Sequence, residues 1–238
     1  MKRRRPRVQI QSPSGAFAEF RFPPEVILLA VRWYLRFGLS YRDLEELLAE
    51  RGIEVDHVTL YRWVQRFTPE LVEAGRPCRH AVGDPWFVDD TYVKVAGKWR
   101  YVYRAIDDHG QTIDVLVSNR RDTTAATRFF ATAFRDHGEP DVVTTDKAWT
   151  LARALDELAP QTQHVTTQYA NNPIESDHAR LKARLQPMRG LKRDRTANTV
   201  IRGRALIQKL RRSHYELGIQ AGAGLTVAAA FDYLPGAL

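Results

Sequence analysis

Apolar residues recur at helical spacing in three stretches near the N-terminus. In EVILLAVRWYLRFG, Val26, Leu29, Val31, Tyr34 and Leu35 form the apolar stripe, with Pro23-Pro24 at the entry and Gly38 at the exit. Ser40 is placed to cap SYRDLEELLAERG, where Leu44, Leu47 and Leu48 share a face and Gly52 marks the end. Asp56 caps a third stretch, HVTLYRWVQRFTPEL, whose apolar side is Leu60, Trp63, Val64 and Phe67. Three short helices with a turn before the last predict a helix-turn-helix module over residues 17–73. Residues 1–16, basic and then polar with Pro6 and Pro13, predict a flexible arm.

Helical spacing is lost in AGRPCRHAVGD, so residues 74–84 read as a linker. The period then becomes two. WFVDDTYVKV and KWRYVYRAID predict a hairpin turning at Ala96-Gly97, and QTIDVLVS a third strand after Asp108-His109-Gly110. Thr123–His137 predicts a helix with Phe129, Phe130 and Phe134 on one face. DVVTTD, Ala148–Leu158 and HVTT predict strand, helix and strand. Basic helices follow, one from NNPIESDHARLKARLQPM and one from roughly Asp194 to Leu217. Asn171 and Asn172 are placed to cap the first of these. Three antiparallel strands followed by alternating helices and strands predict an α/β fold. Its core is an RNase H-like mixed sheet over residues 85–217, joined to the N-terminal all-α module and ending in basic helices. The small-residue-rich tail, 218–238, predicts no element.

Composition narrows the class. No apolar run reaches the length of a membrane span, and the basic start MKRRRPR continues into a polar stretch, so neither a membrane partner nor a secretory signal is expected. The single cysteine, Cys78, excludes an intrachain disulfide and a Cys-rich zinc site and points to a reducing, cytoplasmic compartment. The net charge of +8 is unevenly spread: residues 1–80 carry +4, residues 81–175 carry −4 and residues 176–238 carry +8. An acidic middle between basic ends suits a metal-using site flanked by surfaces for a polyanion.

Three acids in the middle region stand where catalytic groups tend to stand. Asp89 lies inside the first strand, Asp146 ends the fourth, and Glu175 begins a helix. Converging carboxylates suit hard divalent cations such as Mg²⁺ or Mn²⁺. Two such ions about 4 Å apart serve phosphoryl transfer by stabilising both the attacking and the leaving oxygen. Asp90 follows Asp89 directly, but strand alternation lets only one of them face a given site.

These segments carry a resemblance. VRWYLRFGLSYRDLEELLAERGIEVDHVTLYRWVQRF, WFVDDTYVKVAGKWRYVYRAID, TTDKA, YANNPIESDHARLK and LRRSHYELG resemble, in order, blocks of the DDE transposases of bacterial insertion sequences, in the group called family six. The resemblance runs from about residue 18 to residue 217. It implies a helix-turn-helix that binds the element's terminal inverted repeats. It also implies a core that cleaves and joins DNA strands with two Mg²⁺ or Mn²⁺ ions, by a replicative route through cointegrates. By motif position Asp89, Asp146 and Glu175 match the three catalytic, metal-holding acids. Lys182, two turns after Glu175, matches a basic position near the DNA, and His178 lies between them on the same side.

Two features depart from the family pattern: Asp90 stands where Glu is common, and the 28 residues between Asp146 and Glu175 are fewer than usual. Arg62, Gln65 and Arg66 on the presumed recognition helix have the donors for base or phosphate contact. Arg189, Lys192 and Arg193 form a basic stretch fit for phosphate. The partners implied are the element ends, target DNA and further copies of the chain, at least as a dimer, in the nucleoid of a bacterium. The alternatives are a non-catalytic DNA-binding regulator, an inactive transposase relic and an RNase H-like nuclease that does not join strands.

Overall fold

A computed structural model describes residues 15–167, 169–188, 191–222 and 224–237. Most of the N-terminal arm therefore lies outside the described residues. The first helix, α1 (Pro24–Arg36), opens with proline in its first turn, where a missing N–H costs nothing. In α2 (Tyr41–Ala49) a reciprocal capping box forms: the Ser40 hydroxyl accepts from the Asp43 N–H, and the Asp43 carboxylate accepts from the Ser40 N–H. Asp56 accepts from the Val58 and Thr59 N–H groups and starts α3 (His57–Gly75), a 19-residue helix longer than the sequence suggests.

The expected linker follows a defined path. Arg76–Cys78 form a single 3₁₀ turn. The Arg79 guanidinium then donates to the carbonyls of Thr112, at 2.8 Å, and Ile113, at 3.2 Å.

Next come β1 (Trp86–Val95), β2 (Lys98–Ile106) and β3 (Thr112–Ser118), then α4 (Thr123–His137), β4 (Val142–Thr145), α5 (Trp149–Leu158) and β5 (Gln163–Val165). The β1–β2 hairpin turns on Ala96 and Gly97, both at positive φ, the pair of angles a type I′ turn requires. The sheet order is β3-β2-β1-β4-β5, with β1–β3 antiparallel and β4 and β5 parallel to β1. This is the order of the RNase H-like fold.

Strand alternation divides the core into two. On one face Trp86, Val88, Tyr103 and Ala105 pack against Phe129 and Phe130 of α4 and Leu151 and Leu155 of α5. On the other, Val93, Val95, Val102 and Val115 share a cluster with α1–α3 and with α7 (Asp194–Arg211). The helical N-terminal region and the sheet thus bury apolar surface in one continuous core.

The second basic helix is shorter than its sequence predicts. α7 stops at Arg211, and Ser213 takes a positive φ. This turn carries Tyr215 into the core, where it is 1% exposed and bridges to Arg79. The tail forms α8 (Thr226–Tyr233), burying Val227, Ala230 and Phe231. Its small residues conceal an apolar face too short to register as a periodic pattern.

Gly203 sets the approach of α7 to the N-terminal helices. A Cβ there would lie 2.5 Å from the Thr68 methyl and 2.7 Å from Leu35 Cδ2, with both neighbours fully buried. Gly203→Val is expected to cost about 1–3 kcal/mol through overpacking, read as a lowered midpoint in urea unfolding. An unchanged midpoint would show that the contact is slack.

Candidate active site

Val88 of β1 pairs with Thr145 of β4, so the next residues, Asp89 and Asp146, leave these positions side by side. Alternation sends Asp89 and Asp90 to opposite faces. Asp90 is engaged by a cation: Arg121 Nε lies 3.0 Å from both of its oxygens. The same guanidinium reaches to 4.0 Å from Asp146 Oδ2. Asp146 Oδ1 accepts from the Ala148 N–H at 3.0 Å, just before α5.

Among the described residues, Asp89 forms no ion pair with a lysine or arginine. Its Oδ1 accepts from the Asp90 N–H at 2.7 Å, and its Oδ2 lies 3.5 Å from His178 Nδ1. Burial, followed by the charge of Arg104, holds His178 down at about 4, so the ring is neutral at physiological pH and the contact is not an ion pair. Burial first, then the Asp146 charge, pushes the Asp89 carboxyl up to about 7. Asp89 and Asp146 therefore repel one another in a partly desolvated place, a tension that a divalent cation between them would relieve.

The third acid arrives on α6 (Asn172–Leu185), and two contacts fix that helix. The Asn171 amide donates to the Val88 carbonyl at 3.1 Å, one residue before Asp89. Asn171 occupies the N-cap position but makes no capping bond, contrary to the sequence expectation: its amide nitrogen is held by β1, and its Oδ1, the atom a cap would use, meets no helix N–H. Further along, Arg104 of β2 donates through Nε to Asp177 Oδ2 at 2.9 Å, with both side chains 1% exposed. Gln208 of α7 donates to the other Asp177 oxygen. Burial pushes the Asp177 carboxyl up, but the Arg104 charge and the hydrogen bonds from Gln208 and Arg104 outweigh it and hold the group below its ordinary range. Residue types alone gave no sign of these partnerships, although Arg104 lies directly opposite Asp89 in the β1–β2 register.

Glu175 is exposed in the first turn of α6, one turn before His178. The three predicted acids do not close into one tight cluster. Among the described residues, the one group of three whose ligand atoms all lie within 4.8 Å is Asp107, Asp108 and His109, in the β2–β3 turn. The donor set at Asp89, Asp146 and Glu175, all carboxylate oxygen, nonetheless suits a hard cation.

The predicted DNA-facing residues fall at several places. Arg62 and Arg66 are exposed on α3, and Arg66 pairs with Glu70 at 3.2 Å. Gln65 is turned inward, with both amide atoms shut off from solvent. It offers nothing to a ligand in this arrangement, because its side of α3 faces the helix packing. Lys192 and Arg193 line a cleft of about 560 Å³ with Arg42, His57 and Tyr61, beside the start of α3. Lys182 Nζ sits 4.3 Å from the ring centre of Tyr92, three residues after Asp89. Arg189 lies outside the described residues.

A family model described as a DDE domain, of IS240 transposase type, matches residues 83–214, more than half of the chain. The transposase for insertion sequence-like element IS431mec of Staphylococcus aureus is 38% identical over 202 residues, which span 81% of this chain and 89% of the relative. The chain belongs to the DDE transposases of insertion-sequence family six. The transposase for insertion sequence element IS257 in transposon Tn4003, also from Staphylococcus aureus, is 37% identical over the same share of each chain. Among solved structures, the HTLV-2 integrase catalytic core domain in complex with magnesium (dimeric form) covers 64% of this transposase and 97% of its own chain, at 16% identity and a TM-score of 0.42. By class, a DDE transposase is a polynucleotidyl transferase. No helix of this one, among the described residues, is long and apolar enough to cross a membrane.

Removing one partner of the Arg104–Asp177 pair leaves a buried charge without a counterion. Asp177→Ala is expected to cost the transposase about 3–5 kcal/mol in urea unfolding, and pairing Arg104→Met with Asp177→Leu to recover much of that loss. A loss under about 1 kcal/mol in the single variant would mean that water already compensates Arg104.

Proposed function

We propose that this transposase binds the terminal inverted repeats of an insertion sequence, cleaves a strand at the element's end and joins the freed 3′-OH to target DNA. The observation that carries the reading is the Asp89–Asp146 pair: two neighbouring carboxylates, the first without a lysine or arginine ion-pair partner among the described residues, beneath the helix that bears Glu175. A regulator that only binds DNA has no use for this accumulation of negative charge.

Asp89, Asp146 and Glu175 would hold the divalent ions, two Mg²⁺ or Mn²⁺ per site. When bound, such ions supply charge stabilisation to the attacking and leaving oxygens of an in-line displacement. In the joining step the 3′-OH forms a new bond to the target phosphorus, and the bond from that phosphorus to the target's 3′ oxygen breaks. Arg121 keeps Asp90 neutralised, so the field of Asp89 and Asp146 dominates the site. Lys182, on the same side of α6 as Glu175, offers its ammonium to a nearby phosphate. Neutral His178 holds the approach to Asp89 without cancelling its charge.

On this reading α3 is the recognition helix, presenting Arg62 and Arg66, with Lys192 and Arg193 beside it on backbone phosphates. Residues 17–73 then serve as the end-binding unit and residues 85–217 as the strand-transfer unit. Bringing two ends together requires at least a dimer, and replicative transposition through a cointegrate is the proposed outcome.

Asp89→Asn, Asp146→Asn and Glu175→Gln are each expected to lower metal-dependent strand transfer by about 10²–10³-fold or more while leaving end binding intact. Gel assays with pre-cleaved end substrates measure both. A variant that joins at near the parent rate removes its residue from the triad, and a loss at Asp90→Asn as deep as at Asp89→Asn would reassign the first acid.

End binding calls for point variants, because deleting residues 1–75 would strip the core that α3 shares with α7. Arg62→Ala and Arg66→Ala should each weaken binding to the element's ends by about 1–3 kcal/mol in fluorescence anisotropy, relative to a scrambled duplex. An unchanged preference for the ends in both variants would exclude α3 as the reader.

A further inference from the structure

On the other side of α6 lies a second basic surface. Glu175, His178 and Lys182 recur at spacings of three and four and so share one side of the helix, whereas Arg180 and Arg184 project on the opposite side. There a groove of about 380 Å³ opens between α1, α6 and α7. Six arginines line it: Arg36, Arg180, Arg184, Arg204, Arg211 and Arg212, together with Leu35, Leu181, Ile207 and Gln208. No carboxylate is among the lining residues, and among the described residues none of the six arginines forms an ion pair.

Exposed arginines cost little in water, but Arg204 is only 7% exposed. Its Nη2 donates to the Phe37 carbonyl at 3.3 Å and to the Met188 sulfur at 2.9 Å, while its Nε has no partner. Burial, with the neighbouring Arg184 charge adding to it, brings Arg204 down to about 10, so it stays charged at neutral pH. A buried, incompletely satisfied cation among five others is unfavourable in isolation and becomes favourable when an anion enters.

We propose that this groove binds the sugar–phosphate backbone of a DNA segment distinct from the one that lies over Asp89 and Asp146. The inference rests on the strand-transfer reading above, which makes DNA the polyanion at hand, and extends it to a second contact surface. A single phosphate carries at most two negative charges, too few to match six guanidinium groups set on three helices. From Arg204 to Arg211, seven residues of α7 span about 10 Å. One DNA strand presents a phosphate about every 3.4 Å of its axis, so the groove faces about three. The thickness of a helix with its side chains, about 10–12 Å, separates this strand from the acids.

The test uses the full chain carrying Arg180→Gln, Arg184→Gln and Arg211→Gln together, three exposed positions outside the acidic site. Anisotropy titrations with a duplex of about 30 base pairs lacking the element's ends, from about 50 to 200 mM salt, give the slope of log affinity against log salt. The expected result is a slope shallower by about 2–3 than that of the parent, with an unchanged melting curve. The double variant Arg180→Gln/Arg184→Gln should give a drop of about 2 and serves as the second measure if the triple variant does not fold. An unchanged slope in a folded variant overturns the groove and leaves the strand-transfer reading standing. Failure of the parent chain to bind any duplex overturns both. Displacement of the duplex from the parent chain, but not from the variant, by millimolar inorganic phosphate at constant ionic strength would make the groove a single-anion pocket and also overturn the proposal.

Discussion

The ion pair between Arg104 and Asp177 is the contact on which the placement of the site depends. Both side chains are almost wholly removed from water, and each would be costly to bury alone. Arg104 projects from the C-terminal half of β2 directly opposite Asp89, on the same face of the sheet, and Asp177 projects from α6 two residues after Glu175. Their pairing therefore fixes the rotation of α6 over β1. With that rotation set, His178 meets Asp89, and Glu175 stands one turn before it on the same side of α6. Gln208 takes the remaining Asp177 oxygen and brings α7 into the same arrangement. Such a pair contributes less as net attraction than as geometric demand, because any other rotation of α6 would leave a charge stranded.

Much of this was legible in the sequence, for a definable reason. Ser40, Asp56 and Gly52 act within a turn of their own position, so each could be read locally, and Ser40 and Asp56 begin their helices as expected while Gly52 follows the end of α2 at positive φ. Strand alternation in WFVDDTYVKV likewise foretold that Asp89 and Asp90 would part company. The partnerships were not legible. Arg104 and Asp177 are separated by 73 positions, and Asn171 reaches back 83 to Val88. Periodicity reports which way a side chain points, not what it will find there. Gln65 shows the same limit: its spacing on α3 allowed an outward reading, but the neighbouring helices cover both of its amide atoms. α8 escaped notice for the opposite reason, since a helix of only eight residues gains its stability from the surface it covers rather than from its own pattern.

The regional charges acquire a structural meaning once the chain is folded. The acidic middle is not evenly acidic in effect, because Arg121 pairs with Asp90 at 3.0 Å and reaches Asp146 only at 4.0 Å, which leaves Asp89 and Asp146 less offset than Asp90. The basic ends are likewise divided among surfaces. Lys182 stands on Tyr92 near the acids, Lys192 and Arg193 flank α3, and the arginines of α1, α6 and α7 gather on the far side of α6. A net charge alone would have described attraction to a polyanion without direction, whereas this layout sets several separate basic surfaces around a single acidic place.

These surfaces also hold fixed positions relative to one another. α7 packs closely on α1 and α3 at Gly203, supplies Gln208 to the Asp177 pair and lends Arg204 and Arg211 to the groove. One helix thus touches the N-terminal helices, the support of the acids and the second basic surface. A long free linker would let a DNA-reading module and a catalytic module wander apart, and the distance between grip and reaction would then be set by the DNA. Here the shared apolar core sets it at folding. On the proposed function, register between the bound end and the cleaved bond is then a property of side-chain packing, as sensitive to a misfit at Gly203 as to a lost contact on α3.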